Sequence, residues 1–219
     1  MVPHAETRQG PVIWQRDPTE LEAMFSYHTP MYAETSRRWL AKRDLWDEDG
    51  AWLDWICGTP QPHGLGMWFG PVEQVLGAAS VRAHGDGLFE IDEAGRAPMA
   101  VLQPVEQASG EIVDLIAWHP AAPDKWRSLR GDAEILGASA IDGLRFEDEL
   151  LRIYETPLSW WHSHEPNKVC FLSWRPSVIK NALMFDDGLW VESESVADRL
   201  DVALSHWRVP TYYGPSKER

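Results

Sequence analysis

Two histidines separated by a single residue, His162 and His164, are candidates for chemistry in this chain, and Glu165 follows them. Imidazole and carboxylate groups are ligands that zinc and iron sites commonly use, so the three side chains could hold a metal ion. The competing interpretation is a solvated loop, which the following Pro166 and Asn167 favour. We adopt the loop interpretation, keep His162 and His164 as candidate metal ligands, and predict no cofactor.

Acidic residues between positions 44 and 49, followed by Gly50, suggest a calcium-binding loop. An EF-hand needs ligands at its first, third and fifth positions, glycine at its sixth and glutamate at its twelfth. When Asp49 and Gly50 take the fifth and sixth positions, Leu45 falls at the first and Ile56 at the twelfth. Because both required ligands are absent, we interpret the acidic cluster as helix caps on a solvated face.

A basic stretch with an aromatic residue inside it runs from Lys125 to Arg130. Its cations, Lys125, Arg127 and Arg130, could bind a phosphate or a carboxylate through charge-assisted hydrogen bonds. The alternative, which we favour, is a surface turn whose cations pair with the abundant carboxylates of the chain.

The strand ends of the C-terminal part are a further candidate ligand site. Ligands of open α/β sheets bind beyond the carboxyl ends of the strands, where helix N-termini present free N–H groups. In this chain Trp174 and Arg175 follow one apolar run, and Glu192, Ser193 and Glu194 follow the next. Neither the dinucleotide glycine pattern nor the P-loop pattern occurs there, which argues against those two sites.

The elements that must position these strand ends form a predicted β-α-β-α-β unit at 169–213. It consists of strands at 169–172, 189–191 and 209–213 and of helices that begin near residues 176 and 193. The second helix carries a clear apolar stripe that includes Val196, Leu200 and Trp207. Crossovers of this length favour parallel strands with right-handed connections.

The first sixty residues are predicted to be helical. Cap-then-proline signals predict helices that start at Asp17 and at Thr29, the second one continuing to about Leu45, and a third helix is expected at 51–56. Glycine and proline are dense at 59–71, which marks a boundary. We therefore predict a helical subdomain at 1–62 and an α/β domain at 63–219.

Residues 80–137 are predicted to form an antiparallel meander between that boundary and the C-terminal unit. Its strands are expected at 81–84, 88–91, 99–103, 112–118 and 134–136. Residues 123–127 are predicted to open a turn or a short helix, and residues 147–154 fit either a strand or a helix. The predicted fold class is therefore α+β.

The net charge of −14 limits the classes of partner. Nucleic-acid binders gain affinity from basic contacts that release counterions, so direct nucleic-acid binding is not expected. No apolar run is long enough to span a bilayer and the first ten residues have no signal-peptide core, so we predict a cytoplasmic protein that does not enter membranes. The 13 tryptophans could form a core, a partner surface or a stacking platform.

The run at 190–195, a strand followed by two carboxylates two residues apart, resembles the metal-binding step of Toprim domains, which occur in primases and topoisomerases. That family also requires an acidic residue after an earlier strand, where this chain has Ser173 and Trp174. A two-metal phosphoryl-transfer site without that acid would be crippled. Glu192 and Glu194 are therefore expected to be acids at the start of a helix, which the helix dipole favours.

A broader resemblance covers roughly residues 80–210. The order of apolar and aromatic runs is similar to that in uncharacterised proteins encoded in bacterial prophages and mobile elements, and those runs are Ala100–Val105, Val113–Trp118, Ile135–Gly137, Thr156–Trp160 and Val169–Trp174. The resemblance implies a cytoplasmic accessory protein and transfers no activity to particular residues.

These observations favour a non-catalytic, acidic accessory protein of prophage type that acts by binding another protein, with tryptophans as surface anchors. The alternative is an enzyme that processes a nucleotide or nucleic acid, with or without a metal, at a site near Glu192 and Glu194. Carbohydrate binding is a third class and would require several indoles on one open face. The sequence identifies no partner and leaves a homo-oligomer open.

Overall fold

The computed structural model describes residues 20–29, 33–46, 76–142, 150–163, 165–184 and 188–205, and its fold class is α+β, as predicted. The helices are α1 (Glu20–Ser26), α2 (Glu34–Ala41), α3 (Ser139–Asp142), α4 (Pro157–His162), α5 (Pro176–Leu183) and α6 (Glu194–Ala203). The strands are β1 (Gly77–Ala83), β2 (Phe89–Ile91), β3 (Met99–Glu106), β4 (Ile112–His119), β5 (Ala122–Ser128), β6 (Ile135–Leu136), β7 (Leu151–Tyr154), β8 (Lys168–Phe171) and β9 (Leu189–Val191).

The first sheet is antiparallel and has the order β2-β1-β3-β4-β5. Its first four strands were predicted, although β1 begins at Gly77 rather than at residue 81. Two features of the predicted meander are wrong, because β3 pairs with β1 rather than with β2 and the strand predicted at 134–136 belongs to the other sheet. Because Ala78 and Ala79 of β1 are buried, β1 suits a central position, whereas β2 has three residues and lies beside it at the margin. The sheet curls until β2 and β5 approach one another, where Leu88 bridges to Ser128 and the Ser128 amide donates to the Gly87 carbonyl at 3.1 Å.

Strand β5 corrects the prediction of a turn or short helix at 123–127. Pro123 and Asp124 favour turns in isolation, but here β5 pairs with β4 through contacts such as Ala117 with Arg127. Pro123 is tolerated because β5 is the last strand of the sheet. Non-local pairing therefore overrides the local preference.

The second sheet is mixed and has the order β6-β8-β7-β9. Strands β8 and β9 are both parallel to β7, as crossover connections require, but β7 lies between them. The sequence of 147–154 fits either a helix or a strand, and its last four residues form this central strand, with Leu151 and Ile153 buried. The predicted strand at 209–213 lies outside the described residues.

Two hydrophobic clusters cover the faces of the second sheet. One lies between the two sheets and contains Val101, Trp118 and Cys170. The other lies on the opposite face, where Ile179 of α5 and Leu200 of α6 pack against the strands. Helix α6 begins where the sequence predicted, because Ser193 is its N-cap residue and accepts a hydrogen bond from the Val196 amide.

Helices α1 and α2 confirm helical structure in the described part of the first sixty residues. The predicted bounds of the second helix are wrong, because α2 begins at Glu34 after the N-cap residue Ala33, not at Thr29, and ends at Ala41. Leu21 and Phe25 of α1 pack on the first sheet in a third cluster. The chain then docks on β1, where the Ala78 amide donates to the His28 carbonyl at 3.0 Å. Gly77 permits this approach, because a Cβ there would lie 2.8 Å from the His28 oxygen. The predicted helix at 51–56, the boundary at 59–71 and the acids at 47–49 lie outside the described residues.

Tryptophan serves the core throughout the described part of the chain. Eight tryptophans are described there, and all eight are buried or half-buried. Seven belong to or pack against the cluster between the sheets, and Trp174 packs against the cluster on the opposite face. These eight indoles therefore all contribute to packing. In the same residues, no helix has the length and apolar character that crossing a membrane demands.

Candidate functional site

The carboxyl ends of β7 and β9 meet where the strand order of the second sheet reverses. Strand β7 leads through α4 to β8 on one side, and the chain then returns past β7 to β9 on the other. In open α/β sheets this reversal leaves a crevice beyond the strand ends, and ligands bind there. We call this position the switch point, defined by Glu155, Thr156 and Ser159 after β7 and by Glu192 and Ser193 after β9.

Hydrogen bonds join the two strand ends at the switch point. The Glu192 carboxylate accepts from the Glu155 amide at 2.7 Å and from the Ser159 hydroxyl at 2.8 Å. In return, the Ser193 hydroxyl donates to the Glu155 carboxylate at 2.8 Å. The same Ser193 oxygen caps α6 by accepting from the Val196 amide at 3.3 Å. Each glutamate thus holds the strand end that carries the other.

Glu155 and Ser159 were missed by the sequence analysis. Glu155 is 37 residues from Glu192 in the chain, so only the pairing of β7 with β9 reveals that they are neighbours. A local signal existed for the serine, because Thr156 and Pro157 form a cap-then-proline start and Ser159 completes a capping box with Thr156. Reading that signal would have placed α4 and its polar cap after β7.

The other predicted strand-end residues are engaged elsewhere. The Trp174 ring contacts Phe171 with ring centroids 5.7 Å apart, and the Arg199 guanidinium lies over it at 3.9 Å. Arg175 forms an ion pair with Glu134 before β6. Glu194 is exposed in the first turn of α6. The structure therefore brings Glu192 and Ser193 together with Glu155. Trp174 and Arg175 instead contact Phe171, Arg199 and Glu134.

The candidate metal and anion ligands do not form a described site. His162 is the exposed last residue of α4, and His164 lies outside the described residues. No group of three His, Cys, Asp or Glu side chains suited to a metal occurs among the residues that the structure describes. Of the three cations, Arg127 donates to the His84 carbonyl at 2.7 Å, Arg130 pairs with Glu20 at 2.9 Å, and Lys125 is exposed on β5.

Cys170 is buried near the switch point but is not suited to nucleophilic chemistry. Burial raises the pKa of its thiol strongly, and the nearby charges of Glu192 and Glu155 raise it further. A buried thiol of raised pKa has little thiolate and is a structural residue.

A buried carboxylate, Asp114, organises the turn that follows β5. It is fully buried on β4 and accepts five hydrogen bonds, from the amides of Leu115, Arg130, Asp132 and Ala133 and from the hydroxyl of Ser128. A buried charge persists only when such donors satisfy it. Asp114 therefore fixes residues 128–133 and the side chains that they carry.

That turn forms one wall of a groove, which we call the acidic groove and which has a volume of about 510 Å³. The hairpin of β3 and β4 and the start of β6 form the rest of it. Four carboxylates and one arginine line it together with apolar residues, and the full lining is Val105, Glu106, Gln107, Glu111, Ile112, Val113, Arg130, Asp132, Glu134, Ile135 and Ala138.

Comparison of the chain with protein-family models, with curated proteins and with solved structures finds no match in any of the three. The function is therefore inferred from the geometry of the switch point and of the acidic groove.

Proposed function

We propose that this chain is a non-catalytic, acidic accessory protein of prophage type that acts by binding another protein. The observation that carries the proposal is the acidic groove, an open concavity whose four carboxylates outnumber its single arginine. The net charge of −14 extends the same sign over the chain. Such a field attracts a basic partner and repels nucleic acid and other acidic surfaces.

The arrangement at the switch point also supports a binding role rather than a catalytic one. The carboxylates of Glu155 and Glu192 accept hydrogen bonds from Ser193 and Ser159, and Ser193 also caps α6. These contacts hold two strand ends and a helix together. This structural role accounts for the carboxylate after β9 without requiring a catalytic function.

The proposal is tested by photo-crosslinking in the cells that express the protein. A photoreactive phenylalanine derivative replaces, one at a time, the exposed residues Gln107 at the acidic groove, Asp124 on β5 and Asp201 on α6. We expect at least one position to capture a specific protein that mass spectrometry identifies and that the purified chain binds again. The absence of any specific adduct at all three positions would contradict a protein-binding function.

A second candidate function, nucleotide or nucleic-acid processing at the strand ends, is favoured by one observation. Two carboxylates and two serine hydroxyls converge at the switch point, where ligands of open α/β sheets bind. The purified chain is incubated with nucleoside triphosphates and with DNA, each with magnesium or manganese. Turnover that Glu155→Gln and Glu192→Gln both abolish would support this candidate, and turnover that survives both variants would contradict it.

A further inference from the structure

Strand β6 leaves one of its sides open beside the acidic groove. Its register pairs Ile135 with Phe171 and Leu136 with Cys170, and the Leu172 amide donates to the Glu134 carbonyl at 2.8 Å. Backbone groups alternate in direction along an antiparallel strand, so residues 134 and 136 face β8. The N–H and C=O of Ile135 therefore point away from β8. Within the described part of the chain, no strand pairs with this side of β6.

The chemistry around this edge suits an extended, positively charged chain. Ile135 itself lines the acidic groove, together with Val113 and Ala138, which supply apolar contacts. Glu111 and Asp132 stand exposed on the groove. An unpaired strand edge offers main-chain hydrogen bonds to an added strand, and alternate side chains of that strand then select for charge and size.

Ion pairs compensate only part of the negative charge of the groove. The guanidinium of Arg130, which is the arginine of the groove, pairs with Glu20 on α1 at 2.9 Å. Arg175 pairs with Glu134. Glu111 and Asp132 form no ion pair with a described residue. The groove thus presents two exposed carboxylates to an incoming ligand.

We infer that the acidic groove is a docking site for an extended basic segment of the partner protein, which adds to the open edge of β6 and places lysine or arginine side chains against Glu111 and Asp132. This inference rests on the proposed protein-binding function and names the chemistry of the partner. The backbone of the segment pairs with Ile135, its basic side chains meet the carboxylates, and its alternate apolar side chains contact Val113 and Ala138.

The probe is an eight-residue peptide of alternating lysine and valine, titrated into the full chain labelled with ¹⁵N. Two peptides serve as controls: one of alternating glutamate and valine, and one of lysine and valine that is N-methylated at every residue, so that both of its edges lack N–H donors. We expect the unmodified lysine peptide to shift the amide resonance of Ile135 and to bind at least about tenfold more tightly than either control, because one control reverses the charge and the other removes backbone donors.

Matched variants locate the site. The double variant Glu111→Lys/Asp132→Lys should weaken binding of the lysine peptide at least about tenfold, because each reversed charge replaces an attraction by a repulsion. The control variant Glu93→Lys/Asp124→Lys makes the same change in net charge at exposed positions outside the groove and should leave binding within about twofold. Circular dichroism and the dispersion of the amide spectrum verify that both variants fold.

Several results would overturn the inference. These are no binding of the lysine peptide, equal binding of the lysine and glutamate peptides, equal binding of the N-methylated peptide, and equal weakening by the groove and control variants. A partner captured by photo-crosslinking only at Asp124 or Asp201 would also overturn the inference while leaving the proposed function intact. Conversely, peptide binding in the acidic groove with no cellular partner at any position would remove the proposed function and leave the groove's peptide chemistry standing.

Discussion

The two sheets of this protein differ in whether their edge strands are paired. In the first sheet, curling brings β2 and β5 together, so that Leu88 bridges to Ser128 and the marginal strands protect one another. In the second sheet, β6 has two residues and keeps one side unpaired in the described part of the chain. Closed edges prevent unwanted strand pairing, whereas an open edge beside complementary charge is available to a partner. The proposed partner would use the open side of β6, whereas the contacts between β2 and β5 maintain the fold.

The largest expected loss of stability comes from replacing Asp114, the buried carboxylate that fixes the turn after β5. Asp114→Asn replaces one acceptor oxygen by an NH₂ group that faces N–H or O–H donors, so we expect a loss of about 3 kcal/mol or more in the free energy of unfolding. Urea denaturation measures it. Asp124→Asn, an exposed change on β5, should cost less than about 0.5 kcal/mol. Equal stability of the two variants would show that Asp114 does not stabilise the turn after β5.

A second substitution, at Gly137, disturbs the packing of the chain after β6 against the second sheet. Gly137 has a φ of +75°, and a Cβ there would collide with the Lys168 carbonyl. We expect Gly137→Ala to cost about 3 kcal/mol, the sum of left-handed strain and a backbone clash. Gly87 has a φ of +86° and open space around it, so Gly87→Ala isolates the strain and should cost about 1 kcal/mol. Thermal or urea unfolding compares the two, and similar costs would exclude the clash.

The switch point provides a smaller change. Ser193→Ala removes the side-chain cap of α6 and the hydrogen bond to Glu155, so we expect a loss of about 1 kcal/mol in unfolding free energy. Ser195→Ala alters an exposed serine in the same helical turn and serves as the control, with a change within about 0.5 kcal/mol. A neutral Ser193→Ala variant would mean that the strand-end hydrogen bonds do not stabilise the fold.

The smallest expected effect concerns pH and the turn after β2. Hydrogen bonds from the backbone amides of Ala97 and Arg96, with the nearby charge of Arg82, hold the pKa of Asp92 below its usual range despite burial. A lowered folded-state pKa adds stability at pH values above about 4, the unfolded pKa, and this contribution is lost as pH falls through the folded pKa. Chemical denaturation at pH 2 to 7 should therefore show a shallower acid loss for Asp92→Asn. If Asp92→Asn lost as much unfolding free energy at acidic pH as the unaltered chain, Asp92 would not be a source of the acid sensitivity.

Local patterns located most strands of both sheets, namely β1 to β4 in the first sheet and β6, β8 and β9 in the second. Turn signals and alternating residues located β1 to β4, because hairpins depend on neighbours in the chain. The central place of β7 could not be predicted, because it follows from pairing with β8 and β9 across many residues. The prediction of a turn or short helix at 123–127 was wrong for the same reason. Pro123 and Asp124 favour a turn locally, but pairing with β4 places them in a strand.

The candidate sites divide along similar lines. Ser193 was identified correctly as the start of a helix, because capping is local. Glu155 was missed because it approaches Glu192 only through the pairing of β7 with β9. The acidic groove was not predicted either, since its wall depends on five hydrogen bonds that gather around Asp114.

The most direct test measures the dissociation constant of the protein captured by photo-crosslinking for three forms of the chain. These are the unaltered chain, the groove variant Glu111→Lys/Asp132→Lys and the control variant Glu93→Lys/Asp124→Lys. If the acidic groove is the docking site, the groove variant should bind at least about tenfold more weakly while the control stays within about twofold of the unaltered chain. Equal affinities for all three forms would contradict binding through the acidic groove.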